Sequence, residues 1–398
     1  MSPVIQEAIE RLGPGPLTEE SVQQQIAPLF SRVLEGDRIY LANHSLGRPL
    51  DVMADDVHEA ILLWETKLGD AWDQWLAERE AFRARMAALI HAPRTDCVAP
   101  RTSAGQGLRA VLNALPGKPH VLSTRGEFDS IDVILKQYAA LGRITVSWVD
   151  ANAEGNFSVQ EIIRHLRKGM DLVVISQVMF QTGQVVSGLD QLADACHAAG
   201  AKLLVDAYHA VGVFPVDASG MRADFMIGGS YKYLRGGPGA AFLYLSPGIL
   251  ESGLRPLDTG WFAREEVFNF GRTEVPALKQ GGDAFLEATP PVLTWYQARS
   301  GQQFTLAMGV ERLREYSLKQ LTQLKKYLAD AGVCAAGGDS QHGAFLTVRH
   351  AHAGELVKKL EERRIITDAR GEWLRICPDC LTRDEELRAV ADALCEII

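Results

Sequence analysis

From residue 97 to residue 245 the chain alternates short apolar, often β-branched runs with amphipathic stretches. The runs fall at 97–100, 120–123, 144–149, 172–177, 203–206, 225–228 and 241–245. Runs this short, set between segments of helical periodicity, read as strands buried on both faces. Buried strands that alternate with helices build a mostly parallel sheet, its connections crossing over in the right-handed sense. The expected fold class is therefore α/β, with a seven-stranded sheet, one strand per run. The stretch 187–199 is the clearest connecting helix. Ser187 and Asp190 have capping-box spacing, Leu189, Leu192 and Cys196 form a stripe, and Gly200 stands at the stop.

The rhythm differs on either side. Residues 1–40 read as a helical arm, with Val22, Ile26, Leu29 and Phe30 spaced three to four apart, ending in a short strand at 37–41. Residues 51–90 read as a long helical stretch divided near Gly69. A long helix is expected at 302–331, with Leu306, Val310, Leu313, Leu321, Leu324 and Leu328 on one side. Gly337 and Gly338 then set off a small α/β tail. The expected domains are an arm at 1–45 that joins the small domain, a large domain at 46–300 and a small C-terminal domain at 301–398.

Composition excludes several classes. Hydrophobic residues at 47% and charged residues at 23% are globular proportions, not those of a disordered chain. The 41 basic against 50 acidic residues give −9, with no basic stripe for nucleic acid. No apolar run reaches the ~20 residues of a membrane span, and the start lacks a secretory pattern. A cytoplasmic location with reduced thiols is expected. Cys377-Pro378-Asp379-Cys380 lacks a second pair at metal spacing, and the ten histidines do not cluster, so no metal is expected.

Three stretches carry chemistry. In Gly228-Gly229-Ser230-Tyr231-Lys232-Tyr233-Leu234-Arg235-Gly236-Gly237-Pro238-Gly239, a lysine follows a buried strand inside a loop of small residues. Burial disfavours the ammonium form, and a neutral amine attacks carbonyls. On its own, such a lysine is more often a surface residue on a turn. In Leu203-Leu204-Val205-Asp206-Ala207-Tyr208-His209, a strand delivers an acid at its carboxyl end, where such sheets bind ligands. Asp206 could hold a heteroaromatic N–H⁺ or merely cap a helix. In Arg101-Thr102-Ser103-Ala104-Gly105-Gln106-Gly107, hydroxyl residues precede a helix whose free N–H groups suit a phosphate.

Phosphate cradle, acid and lysine in this order resemble the fold-type-I pyridoxal-phosphate enzymes of the class V branch. More specifically, the chain resembles kynureninase. Ser230-Tyr231-Lys232-Tyr233-Leu234-x-x-Gly237-Pro238-Gly239 and Asp206-x-x-His209-Ala210-Val211-Gly212 match that family's motifs nearly residue for residue. Asn43-His44-Ser45-Leu46-Gly47 is similar to its Gly-Asn-Ser-Leu-Gly, and Val178-Met179-Phe180-Gln181-Thr182-Gly183-Gln184 to its Val-Gln-Tyr-Tyr-Thr-Gly-Gln. Gly260-Trp261-Phe262, 288–293 and Leu374-Arg375-Ile376 follow in the family's order.

The resemblance implies a hydrolase that cleaves the Cβ–Cγ bond of kynurenine or a close analogue such as 3-hydroxykynurenine, giving alanine and an anthranilate. It implies pyridoxal 5'-phosphate held by Lys232, with Asp206 at the ring nitrogen. Catalytic roles fall to Lys232, Asp206 and Tyr231. Thr102, Ser103, Phe128, His209, Tyr231, Trp261 and Thr289 would bind the cofactor. Arg375, Asn43 and Ser45 would bind substrate. A homodimer with shared sites is implied, the aromatics Trp261, Phe262, Phe268, Phe270 and Trp295 lying at its interface. Two departures stand out. Gly126-Glu127-Phe128-Asp129-Ser130-Ile131-Asp132 replaces the family's Phe-Pro-Ser/Thr-Asp, leaving Asp129 and Asp132 as rivals for a cofactor contact. Pro378-Asp379-Cys380-Leu381 replaces its Pro-Leu-Tyr. A class V aminotransferase or another lyase is the alternative. For a desulfurase, Cys334, Cys377 and Cys380 are the late candidates for the nucleophile.

Overall fold

The seven apolar runs form one sheet in a computed structural model that describes residues 1–269 and 271–398, so that Phe270 lies outside the described residues. A short strand β1 (Ile39–Tyr40) comes first. The sheet strands are β2 (Val98–Arg101), β3 (His120–Thr124), β4 (Thr145–Val149), β5 (Leu172–Ser176), β6 (Lys202–Asp206), β7 (Phe225–Gly229) and β8 (Ala241–Leu245). Their order is β2-β8-β7-β6-β5-β3-β4, and every neighbouring pair is parallel except those made by β8, which runs antiparallel to β2 and β7. The chain steps outward from β3 to β4 and then returns to the other side of β3 as β5. That reversal opens a crevice at the carboxyl ends of β3 and β5, where ligands of such sheets bind. Since β2 and β7 both run opposite to β8, the carboxyl ends of β2, β3, β5, β6 and β7 share one edge.

Apolar cores cover both faces. One gathers Leu108, Val111, Phe225, Ile227, Phe242 and Trp295, and the other gathers Leu122, Val173, Ile175, Leu192 and Leu203. A third core, with Leu41, Leu321, Leu324, Leu346, Leu374 and Val390, lies under the antiparallel sheet of β9 (Leu346–Arg349), β11 (Asp368–Arg370) and β12 (Trp373–Ile376). The N-terminal arm reaches this core because β1 pairs in parallel with β10 (Ile365–Ile366). Phe30 of the arm packs edge-on against Phe304 at 5.4 Å. Among the described residues no helix is long and apolar enough to cross a membrane.

Three local expectations differ. The helix expected at 302–331 is two helices, Val292–Met308 and Val310–Asp330, broken at Gly309 with φ +80°. Of its expected stripe, Leu306 is exposed, while Leu321, Leu324 and Leu328 are buried. The helix Leu189–Ala199 is entered through Gly188 in the left-handed region and carries no side-chain cap, so Ser187 does not form the capping box. Gly200 does end it in the left-handed region. Finally, Phe262 and Trp295 are buried within their own chain, while Phe268 stays exposed beside them.

Candidate active site

A cavity of about 460 Å³ opens at the shared carboxyl edge. Its walls come from every stretch that ends there: Ser103 after β2, Phe128 after β3, Ser176 and Phe180 at and after β5, Asp206 at the end of β6, and Lys232 after β7. Tyr208, His209 and Tyr231 also line it. A volume of this size is in the ordinary range for a small-molecule site.

Lys232 is buried, and its Nζ lies 2.5 Å from His209 Nε2. The rings of Tyr208, Phe128 and Tyr231 surround it at 5.3, 5.4 and 5.7 Å. Burial pushes its pKa down, and Arg375 and Arg370 add to this against the attraction of Asp206. The amine is thus poised to be neutral at far lower pH than an exposed lysine. Two glycines give the lysine loop its place. A Cβ on Gly47 would stand 1.9 Å from the carbonyl oxygen of Lys232, and one on Gly229 would stand 2.0 Å from the Tyr208 hydroxyl.

Asp206 is buried, and burial raises its pKa against the Tyr208 N–H, which donates to Oδ1 at 2.9 Å, and the charge of Lys232. A buried acid with one protein donor has capacity left for a cationic N–H in the cavity. Its contact with Tyr208 N–H also fits the capping alternative in part, since the next residues form a turn rather than a helix. Ser103 caps the helix Ala104–Ala114, its Oγ accepting from Gln106 N–H at 3.1 Å, and brings that helix N-terminus to the cavity. The lysine, the acid, the flat Phe128 ring and the helix N-terminus together fit a phosphorylated aldehyde on a heteroaromatic ring.

Several expected residues sit elsewhere. Thr102 and Thr289 line a separate cavity of about 160 Å³ with Arg101 and Phe262. Trp261 is half-buried next to Phe262 at 4.5 Å and is not in the wall of the lysine cavity. Asn43 is turned inward, its Nδ2 donating to Cys377 O at 3.0 Å. Ser45 donates to Asp368 at 2.5 Å rather than facing the cavity. Arg375 is buried, its Nε and Nη2 donating to the two Asp368 oxygens at 2.7 and 2.5 Å. Between the rival aspartates, Asp129 lines the cavity, while Asp132 pairs with Lys136 at 2.6 Å. Asp379, in the departing 378–381 stretch, is an anchor: Arg48 and Arg235 both pair with its carboxylate. Cys377 is buried and donates to Ala344 O at 3.1 Å, and Cys380 is buried beside Arg235 at 3.6 Å.

Two acids escape a reading of the sequence. Glu127 is buried at the cavity's rear and accepts from Thr124 Oγ1 and Ser176 Oγ, each at 2.6 Å. Burial, with the nearby charge of Asp206, pushes its pKa up to about 7. Asp368 gathers His44, Ser45 and Arg375, and their donors hold it well below the ordinary carboxylate range despite burial. The only signal for either was its position beside a motif.

The model of the class-V aminotransferase family matches residues 67–376. An uncharacterized aminotransferase of Bacillus subtilis is 26% identical over 380 residues, covering 94% of this chain and 98% of that protein. A kynureninase of Deinococcus radiodurans is 29% identical over 357 residues, covering 85% of this chain and 84% of its own. Among solved structures, a C-DES mutant with glycine covalently linked to its pyridoxal-phosphate cofactor superposes with a TM-score of 0.83 at 19% identity, covering 93% and 98% of the two chains. The apo cysteine desulfurase of Thermococcus onnurineus superposes with a TM-score of 0.81 at 17% identity, covering 97% and 99%. At these identities the structural likeness is one of fold.

Proposed function

The chain belongs to the class-V aminotransferase family, with its fold-type-I architecture and pyridoxal 5'-phosphate as cofactor, and on that premise we propose that it hydrolyses the Cβ–Cγ bond of kynurenine or a close analogue. The observation that carries the reading is the cavity itself. Lys232, Asp206, Phe128 and His209 line one space, in the motifs that resemble kynureninase. Relatives named kynureninase at 29%, 27% and 26% identity support the same assignment.

When bound, the cofactor supplies an electron sink for negative charge next to the substrate's amino carbon. The chain's own residues do the rest. Lys232 would hold the cofactor and, as a neutral amine, would take and return the proton at the substrate's α-carbon. Asp206 keeps the ring nitrogen protonated by a charge-assisted hydrogen bond. Phe128 covers the ring. Ser103, the helix N-terminus behind it and Tyr231 take the phosphate. Arg375 takes the α-carboxylate. Water adds to the γ-carbonyl, the Cβ–Cγ bond breaks, the water's oxygen stays on Cγ as the new carboxyl group while a proton it gave up ends on Cβ, and alanine and an anthranilate leave. In the proposed homodimer, Trp261 and Thr289 serve the partner's cavity. That both lie outside their own chain's lysine cavity supports this sharing.

Incubating the holoenzyme with kynurenine, with and without a 2-oxo acid, tests the reaction. Equal yields of anthranilate and alanine without the acceptor are expected. Product that appears only with the acceptor would make the protein an aminotransferase.

A further inference from the structure

Asp368 and Arg375 stand directly opposite each other on the antiparallel strands β11 and β12. Their contact is side-on and bidentate: Arg375 Nε donates to Oδ1 at 2.7 Å and Nη2 to Oδ2 at 2.5 Å. Arg375 Nη1 donates to the Phe180 carbonyl at 2.6 Å. A guanidinium has five N–H groups in a rigid plane. These contacts use three of them and leave one on each Nη nitrogen, which form an end-on pair for a second carboxylate when the Phe180 carbonyl takes the outer Nη1 hydrogen. Phe180 itself lines the lysine cavity, and the charge of Arg375 depresses the pKa of Lys232 and of His209. The guanidinium therefore sits directly behind the cavity wall.

Asp368 is held as firmly as it holds. His44 Nε2 lies 2.7 Å from Oδ1, and Ser45 Oγ donates to Oδ2 at 2.5 Å. Burial pushes His44 down to about 4, so the ring is neutral and its Nε2–H is the donor. Arg370 approaches the same carboxylate at 3.6 Å. With two arginines, one aspartate and a neutral histidine, the cluster carries one uncompensated positive charge. One substrate carboxylate would neutralise it.

We propose that Asp368 is a positioning residue for substrate recognition: it fixes the Arg375 guanidinium side-on, supported by His44 and Ser45, so that the end-on pair receives the α-carboxylate of an amino acid. The proposal rests on the reading of Arg375 as the carboxylate partner, and it makes the site selective for substrates with one α-carboxylate and no second anion beside it. A rigid side-on pair fixes the plane of the fork, and a misplaced fork loses one of its two hydrogen bonds to the ligand.

The test uses two probes that differ only at the carboxylate, L-alanine and L-alaninamide, titrated into holoenzyme with the cofactor absorbance as readout. Asp368→Asn should weaken L-alanine by about tenfold, the size of one charge-assisted hydrogen bond, and leave L-alaninamide unchanged. In an Arg375→Ala background the same substitution should have no further effect on L-alanine. Ser45→Ala loosens Asp368 without leaving a buried charge unpaired, and should shift L-alanine the same way by a smaller factor, which keeps the test open if Asp368→Asn does not fold. Tighter L-alanine binding in Asp368→Asn would show instead that Asp368 competes for Arg375, and equal losses for both probes would show a structural role. Either result overturns the proposal. Because neither probe is kynurenine, a failure here is distinct from a failure of the proposed hydrolysis.

Discussion

The Lys232 amine and His209 Nε2 are 2.5 Å apart, and His209 Nδ1 lies 3.2 Å from the Tyr233 hydroxyl. Burial depresses both the lysine and the histidine. Either neutral tautomer of His209 serves both contacts, because the Tyr233 hydroxyl and a neutral lysine amine can each donate or accept. The amine is held at the cavity wall.

The depressed lysine gives a pH profile. Apoprotein mixed with pyridoxal 5'-phosphate should capture it at a rate that rises about tenfold per pH unit at low pH, as the reactive neutral amine accumulates. The rise should level off well below 10.5, the ordinary lysine value. Stopped-flow absorbance follows the capture. A rate still climbing beyond that value would mean that Lys232 is not desolvated.

Asp206→Asn should leave the fold intact and lower turnover by about 10²-fold or more, in line with losing a charged group that favours one protonation state of the reacting partner. Circular dichroism and steady-state turnover, compared on the same samples, check both halves. Near-normal turnover would reduce Asp206 to a local backbone contact with Tyr208.

Glu127 makes stability pH-dependent. Its folded pKa of about 7 lies above the ordinary 4.5, so the native state binds the extra proton between those values. Stability from this group is greatest at the acid end of that window and falls as pH rises through it. Glu127→Gln should therefore lose less of its urea midpoint than the wild type between about pH 5 and about pH 8. Parallel slopes for the two proteins would contradict the burial argument.

Shared sites predict complementation. An equal mixture of Lys232→Ala and Trp261→Ala subunits, refolded together, should recover about a quarter of wild-type activity, because half of the random dimers carry one intact site. No recovery would place Trp261 and Lys232 in the service of one chain.

The seven strands, Lys232 and Asp206 were legible because their signals are local: an apolar run, then a reactive residue within three positions of its end. What stayed hidden depends on distant pairings. Glu127 is explained by Ser176, 49 residues away, and Asp368 by Ser45, 323 away. No periodicity records such contacts. Arg375 illustrates the same limit, since the motif located the residue but only the fold shows its side-on face already taken by Asp368. The break at Gly309 is hidden in the pattern because the apolar spacing runs on across it, while the backbone turns through a positive φ.

The central claim is that Lys232 carries the cofactor. Borohydride reduction of the holoenzyme, followed by peptide mapping, tests it most directly. The cofactor should be found on Lys232 alone, and Lys232→Ala should carry none after the same treatment. A label on any other lysine, or an undiminished label in Lys232→Ala, would contradict the account.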